Sequence, residues 1–187
     1  MPFNSDRHHR RSIRLNGYDY SSPGAYFITI CTYHRQCLFG DIIDGEMRLN
    51  NTGQLVASEW MKTTQIRPDF DLDEWIVMPN HIHGIVVISS NPNVGAHSCA
   101  PLRAPLNTGI AYRKPRSLSS FVAGFKSATT KQINLKRDAL GQPVWQRNYY
   151  DHIIRSEASL QHIRQYIEAN PSSWQDDQLH PNCLSKW

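Results

Sequence analysis

At 187 residues, with 40% hydrophobic residues and a formal net charge of +4, the chain suits one globular domain with a full core and excludes a fibrous or disordered polymer. No apolar run approaches the roughly 18 residues that a membrane helix needs. The opening stretch from Met1 to Arg14 lacks the hydrophobic segment of a signal peptide, so a cytoplasmic location is expected. An isoelectric point near 8.9 permits a nucleic-acid partner without establishing one.

In chain order, residues 1–22 read as a flexible basic arm carrying Arg7, Arg10, Arg11 and Arg14. A strand of β-branched and aromatic residues follows, Ala25 to Tyr33. Two extended pieces, Cys37 to Ile43 and Glu46 to Leu49, join through Asp44-Gly45, a hairpin turn signal. Asn51 or Thr52 caps a helix that Pro68 ends near Ile66. Strands Leu72 to Met78 and Ile82 to Ile88 flank the turn signal Pro79-Asn80.

Residues 89–116, broken by four prolines, read as a long loop with a second basic cluster, Arg103, Arg113, Lys114 and Arg116. Both clusters are of the kind that neutralises phosphates. Ser117 caps a second helix that fades near Asp138, and a strand from Val144 to Ile154 follows. A last helix starts near Ser156 and stops at Asn170-Pro171, since the residue before proline avoids helical geometry. The core domain spans 23–175, with a tail over 176–187. The element order, less the hairpin and the last helix, is βαββαβ: an α+β, ferredoxin-like (RRM-like) antiparallel sheet with helices on one face. Cysteines 31, 37, 99 and 183 lack CxxC pairing, which argues against a zinc ribbon or a disulfide framework and for reduced thiols.

Two stretches carry chemistry. In His81-Ile82-His83 the histidines lie two apart on a strand, so both imidazoles face one side while Ile82 enters the other. Side by side they can ligate one metal ion, and Gly84 leaves room for a ligand or another chain to approach. Two strand histidines that bind nothing fit the same spacing. A histidine-triad hydrolase would need a third histidine at position 85, which is Ile. In the last helix Tyr166 and Asn170 lie four apart on one face, beside an apolar stripe of Leu160, Ile163 and Ile167 that would dock the helix. A phenol with a pKa near about 10 becomes a useful nucleophile when a metal polarises its target and a neighbour takes its proton.

Taken together, the sequence resembles the REP-associated tyrosine transposases of the HUH single-strand DNA transposase superfamily. The matching stretches are Gly24 to Thr29, Val77 to His83, Trp145 to His152 and Tyr166 to Pro171, and the resemblance spans about residues 10 to 175. It implies that Tyr166 is a nucleophile forming a 5′-phosphotyrosine and that His81, His83 and Asn170 are metal ligands. Asn170 stands where related insertion-sequence enzymes more often carry Gln; both offer a carbonyl oxygen. The mixed nitrogen and oxygen set fits Mg2+ or Mn2+. The implied substrates are single-stranded DNA and the hairpins of repetitive extragenic palindromes, cut and rejoined by a monomer or a homodimer, with no membrane partner. Tyr150 and His152, two apart on a strand, are candidates to line the DNA groove, and Tyr150 is the alternative nucleophile. Trp145 and Tyr149 are candidates for base stacking or for the core.

Two other function classes fit less. A ferredoxin-like sheet with exposed aromatics also serves non-catalytic DNA- and RNA-binding domains, in which case chelation changes nothing. A metal hydrolase of small molecules lacks a carboxylate beside the histidines of the first motif to serve as base.

Overall fold

A computed structural model of the protein describes residues 15, 17–89 and 115–183. Six strands and three helices run in the order β1 (Gly24–Cys31), β2 (Gly40–Ile43), β3 (Glu46–Leu49), α1 (Asn51–Ile66), β4 (Phe70–Met78), β5 (His81–Ile88), α2 (Leu118–Lys136), β6 (Tyr150–Ile154) and α3 (Glu157–Ala169). Four strands form a sheet of order β4-β5-β1-β6, antiparallel throughout, and β2 and β3 form a separate hairpin. This is the ferredoxin-like arrangement that the βαββαβ order implies.

The two faces of the sheet have different occupants because successive strand residues alternate. Tyr26, Ile28 and Ile30 of β1 and Ile82, Val86 and Ile88 of β5 enter the main core, with Val56 and Trp60 of α1 and Phe121, Val122 and Phe125 of α2. Phe27 and Ile85 point the other way and meet Ile163 and Ile167 of α3. The expectation of helices on one face therefore holds for α1 and α2 alone. The stripe of Leu160, Ile163 and Ile167 needs an apolar partner, and the second face of the sheet supplies it.

Local details depart from the sequence reading in several places, among them the first strand, which ends at Cys31 rather than Tyr33. Asn50, rather than Asn51 or Thr52, caps α1, its side-chain oxygen accepting from the N–H groups of Thr52 and Gly53. The hairpin strand begins at Gly40, not Cys37, because the N–H groups of Leu38 and Phe39 are spent on the carbonyl of Pro79. The strand expected over Val144 to Ile154 shortens to Tyr150–Ile154, with a single bridge at Trp145 to Thr32. Trp145 is buried, its indole N–H donating to Thr129 Oγ1 at 2.9 Å, so it belongs to the core rather than to a base-stacking surface. Asp44-Gly45 makes the hairpin turn with both residues at positive φ, 53° and 77°. Cys31, Cys37 and Cys183 are free thiols; Cys99 lies outside the described residues.

Gly84 has a packing reason different from the one its sequence context suggested. A Cβ there would stand 2.6 Å from Trp60 Cζ2 and 3.2 Å from Trp75 Cβ, on the side of the sheet away from the histidines. The glycine makes room for a tryptophan of α1, not for a ligand. Gly84→Ala should therefore destabilise the fold by about 1–3 kcal/mol through overpacking, read by urea denaturation. Wild-type stability in that variant would disprove the contact.

Candidate active site

The strand pair that carries the histidines is held tightly. Pro79-Asn80 closes β4 onto β5 with Met78 opposite His81. The turn is then pinned to the segment after β1, with the carbonyl of Asn80 accepting from Thr32 N–H at 2.8 Å. Cys31 and Thr29 of β1 stand opposite His81 and His83. The imidazoles share the second face of the sheet, as their spacing requires, with ring centroids 4.3 Å apart.

Helix α3 covers that face. Ser156 caps its start by accepting from Ser159 N–H. Near its middle, Arg164 grips Asp73 of β4 through two hydrogen bonds, Nε to Oδ1 at 2.8 Å and Nη2 to Oδ2 at 2.6 Å. Asp73 sits where the pairing of β4 with β5 shifts register between Leu72 and Trp75. The paired guanidinium holds the Asp73 carboxyl below its ordinary pKa. With Ile163 and Ile167 seated, Tyr166 stands beside the histidines. Its hydroxyl lies 3.3 Å from His83 Nε2, and its ring crosses Phe27 edge-on at 6.0 Å. Phe27 in turn stacks on His83 at 5.4 Å. Asn170, one turn on, is buried at the C-cap of α3 and, although it precedes Pro171, keeps helical geometry (φ −59°, ψ −41°).

Two buried polar atoms here have no hydrogen-bond partner, His81 Nε2 and Asn170 Oδ1. A buried acceptor left unpaired costs free energy that a positive ligand would offset. The corresponding atom of the third side chain, His83 Nε2, is occupied by the Tyr166 hydroxyl. The donor set thus fits a divalent cation, with two neutral imidazole nitrogens and an amide oxygen.

The structure adds a residue that the sequence did not flag. One nitrogen each of His81 and His83 and a carboxylate oxygen of Asp177 lie within 4.8 Å of one another. Asp177 follows a one-turn helix at Trp174–Asp176. Its Oδ1 accepts from Leu179 N–H at 2.6 Å, and its Oδ2 from Asn170 Nδ2 at 3.4 Å. Glu168 of the second motif is exposed, and the carboxylate that the fold brings to the histidines is that of Asp177. Trp174 also reaches the site, its ring 6.0 Å from that of His81.

Other candidate residues are more dispersed. Tyr150 and His152 of β6 lie opposite Thr29 and Phe27, on the histidine face. Tyr150 is exposed and meets Phe27 at 6.2 Å, so that phenylalanine stands between it and the imidazoles. Arg116 is exposed with φ of 57° just before α2 and is not among the groups that meet at the histidines. Arg7, Arg10, Arg11, Arg14, Arg103, Arg113 and Lys114 lie outside the described residues.

Burial dictates the protonation states. Desolvation lowers the His83 pKa to about 3, and desolvation together with the neighbouring His83 lowers that of His81 well below its ordinary value. Both rings are neutral at pH 7, the form in which imidazole binds metal. Desolvation, aided by the charge of Asp177, pushes Tyr166 up to about 12, and a hydrogen bond from Asn170 pulls the other way.

The chain shares its fold with the solved structure of a REP-associated tyrosine transposase bound to a REP hairpin, which it matches with a TM-score of 0.56 and 20% identity, covering 88% of this chain and 74% of that one. It belongs to the same family as an uncharacterized protein of Haemophilus influenzae, to which it is 41% identical over 179 residues, 95% of this chain and 97% of the relative. A candidate transposase of Deinococcus radiodurans matches with a TM-score of 0.41 and 18% identity, over 84% of this chain and 96% of that one. No family model matches the sequence.

The depressed histidine pKa values have a measurable consequence. Below about pH 6.5 the unfolded chain takes up protons that the folded imidazoles refuse, so their contribution to stability is full above that pH and is lost as the pH falls, for His83 down to about 3. In metal-free protein, stability should drop by about 1 kcal/mol per pH unit for each histidine between pH 6.5 and 5. His83→Gln should flatten the slope in urea titrations. An equal slope in wild type and variant would refute the assignment.

Proposed function

We propose that this chain is a divalent-metal-dependent single-strand DNA endonuclease and strand transferase that acts through a covalent 5′-phosphotyrosine on Tyr166. The observation that carries the reading is the Tyr166 hydroxyl 3.3 Å from Nε2 of His83, whose ring lies beside that of His81, together with the buried, unpartnered His81 Nε2 and Asn170 Oδ1. In this reading His81, His83 and Asn170 hold Mg2+ or Mn2+. When bound, the cation supplies positive charge to the phosphate under attack. Imidazole ligands favour Mn2+ over Mg2+, so Mn2+ is the cation to test first.

The rest of the chemistry falls to the chain itself. The Tyr166 oxygen forms a bond to phosphorus, and the bond from phosphorus to the 3′ oxygen breaks. The phenolic proton passes to a base, for which Asp177 is the carboxylate at hand. The 3′ oxygen leaves as a hydroxyl after taking a proton from water. Attack of a 3′ hydroxyl on the phosphotyrosine reverses the step and joins DNA without a nucleotide cofactor. His83 Nε2 has one lone pair, which either accepts from Tyr166 or ligates a cation, so the phenol is released only in the loaded site. Because α3 lies on the sheet of its own chain, one copy carries the whole set, and we assign the reaction to Tyr166 in cis.

The substrate we propose is a REP-type palindromic hairpin with its single-stranded flank, by analogy with the DNA in the similar solved structure. Tyr150 and His152 are assigned to the path of the strand, and the basic arm and loop (Arg7, Arg10, Arg11, Arg14, Arg113, Lys114 and Arg116) to its phosphates.

The test is an adduct assay. Wild type with Mn2+ and a labelled REP hairpin should give a protein–DNA species that survives denaturant. EDTA should abolish it, and Asn170→Ala should reduce it at least tenfold. Tyr166→Phe should form none, while binding Mn2+ at least as tightly as wild type, because His83 Nε2 loses its competing partner. An adduct from Tyr166→Phe, or one indifferent to EDTA, would overturn the proposal.

A further inference from the structure

The nitrogen of each imidazole that is not aimed at the proposed ligand position is also engaged. His81 Nδ1 lies 2.8 Å from Asn80 Oδ1, and His83 Nδ1 lies 2.9 Å from Thr29 Oγ1, both in buried contacts. The first contact has one chemical reading. The amide nitrogen of Asn80 donates to two carbonyls, Arg35 O at 3.1 Å and Leu179 O at 2.8 Å, so the atom facing His81 is the amide oxygen. An amide oxygen only accepts. His81 therefore carries its hydrogen on Nδ1, and its Nε2, the unpartnered buried atom, is a bare lone pair.

At His83 the same tautomer satisfies both neighbours: Nδ1–H donates to Thr29 Oγ1, and the Tyr166 hydroxyl donates to Nε2 at 3.3 Å. Asn80 is fixed from three sides, by the turn that contains it, by the segment after β1 and by the stretch near Leu179. Thr29 is fixed on β1, directly across the ladder from His83.

We propose that Asn80 and Thr29 are positioning residues: each holds one imidazole as its Nδ1–H tautomer, so that two Nε2 lone pairs stand side by side as metal ligands. The last clause rests on the metal reading given above, whereas the tautomers exist without any cation. Hydrogen bonds on the far nitrogen set both the orientation and the basicity of a histidine ligand, and losing one costs about 10–100-fold in metal affinity.

Two measurements test this. Long-range proton–nitrogen correlation spectra of metal-free, 15N-labelled protein should show both histidines protonated at Nδ1. In Thr29→Val, which keeps the shape and the β-branch of the residue, His83 should populate both tautomers. Mn2+ should then bind about 10–100-fold more weakly than to wild type, with Thr29→Ser within about threefold of wild type. Asn80→Ala also cuts the links to Arg35 and Leu179, so Asn80→Asp serves as its partner: it keeps an acceptor and should keep the His81 tautomer. Protonation of either wild-type histidine at Nε2, or wild-type tautomer and affinity in Thr29→Val, would overturn the proposal. Wild-type protein that binds no Mn2+ yet shows the Nδ1–H tautomers, lost in Thr29→Val, would remove the metal reading and leave the positioning role supported.

Discussion

The site depends on one apolar contact, Ile163 and Ile167 of α3 against Phe27 and Ile85 on the second face of the sheet. The sheet already buries its first face under α1 and α2, so α3 has one apolar surface left to cover. Helical spacing then leaves little freedom. With Ile163 and Ile167 facing inward, Tyr166 comes to the flank of the contact and Asn170 to its end, while Arg164 meets Asp73 at the irregularity of β4. Chemistry and packing are two stripes of the same short helix.

The electrostatic character of the centre follows from that covering. Two imidazoles, a phenol and an amide are withdrawn from water with little formal charge among them, and Asp177 brings the nearest carboxylate. Burial keeps the rings neutral and the phenol protonated. The polar atoms of such a centre settle on one another wherever geometry permits. The phenol rests on His83, while His81 Nε2 and Asn170 Oδ1 have no partner among the described residues.

Much of this was legible from residue patterns. The period-two placement of His81 and His83 set their common face, and the helical spacing of Tyr166, Asn170 and the apolar stripe put one beside the other. The alternation of element types set the sheet. What was not legible depends on contacts distant in sequence. Asp177 follows the helix by way of a turn at Pro171, and no spacing rule links it to position 81. Asn80 read as a turn former, which it is, but its three hydrogen-bond partners are visible only once the segment after β1 and the stretch near Leu179 have folded around it. Gly84 was assigned to ligand access because its neighbours are histidines; the indole that needs the space lies on the opposite face and 24 positions away, at Trp60.

That indole ties the two sides of the sheet together. Trp60 is buried against the backbone of β5 one residue beyond His83, with Phe121 and Phe125 edge-on to it at 5.4 and 5.0 Å. Strand β5 therefore works as a shelf whose height is set from below by the aromatic stack and which carries the imidazoles above. Drift at position 60 toward a smaller side chain would let the shelf sag and change the spacing of groups that the tryptophan never touches. The spacing of the imidazoles is thus constrained from the far face of the sheet, and a bulkier residue at position 84 fits only in company with a slimmer one at 60.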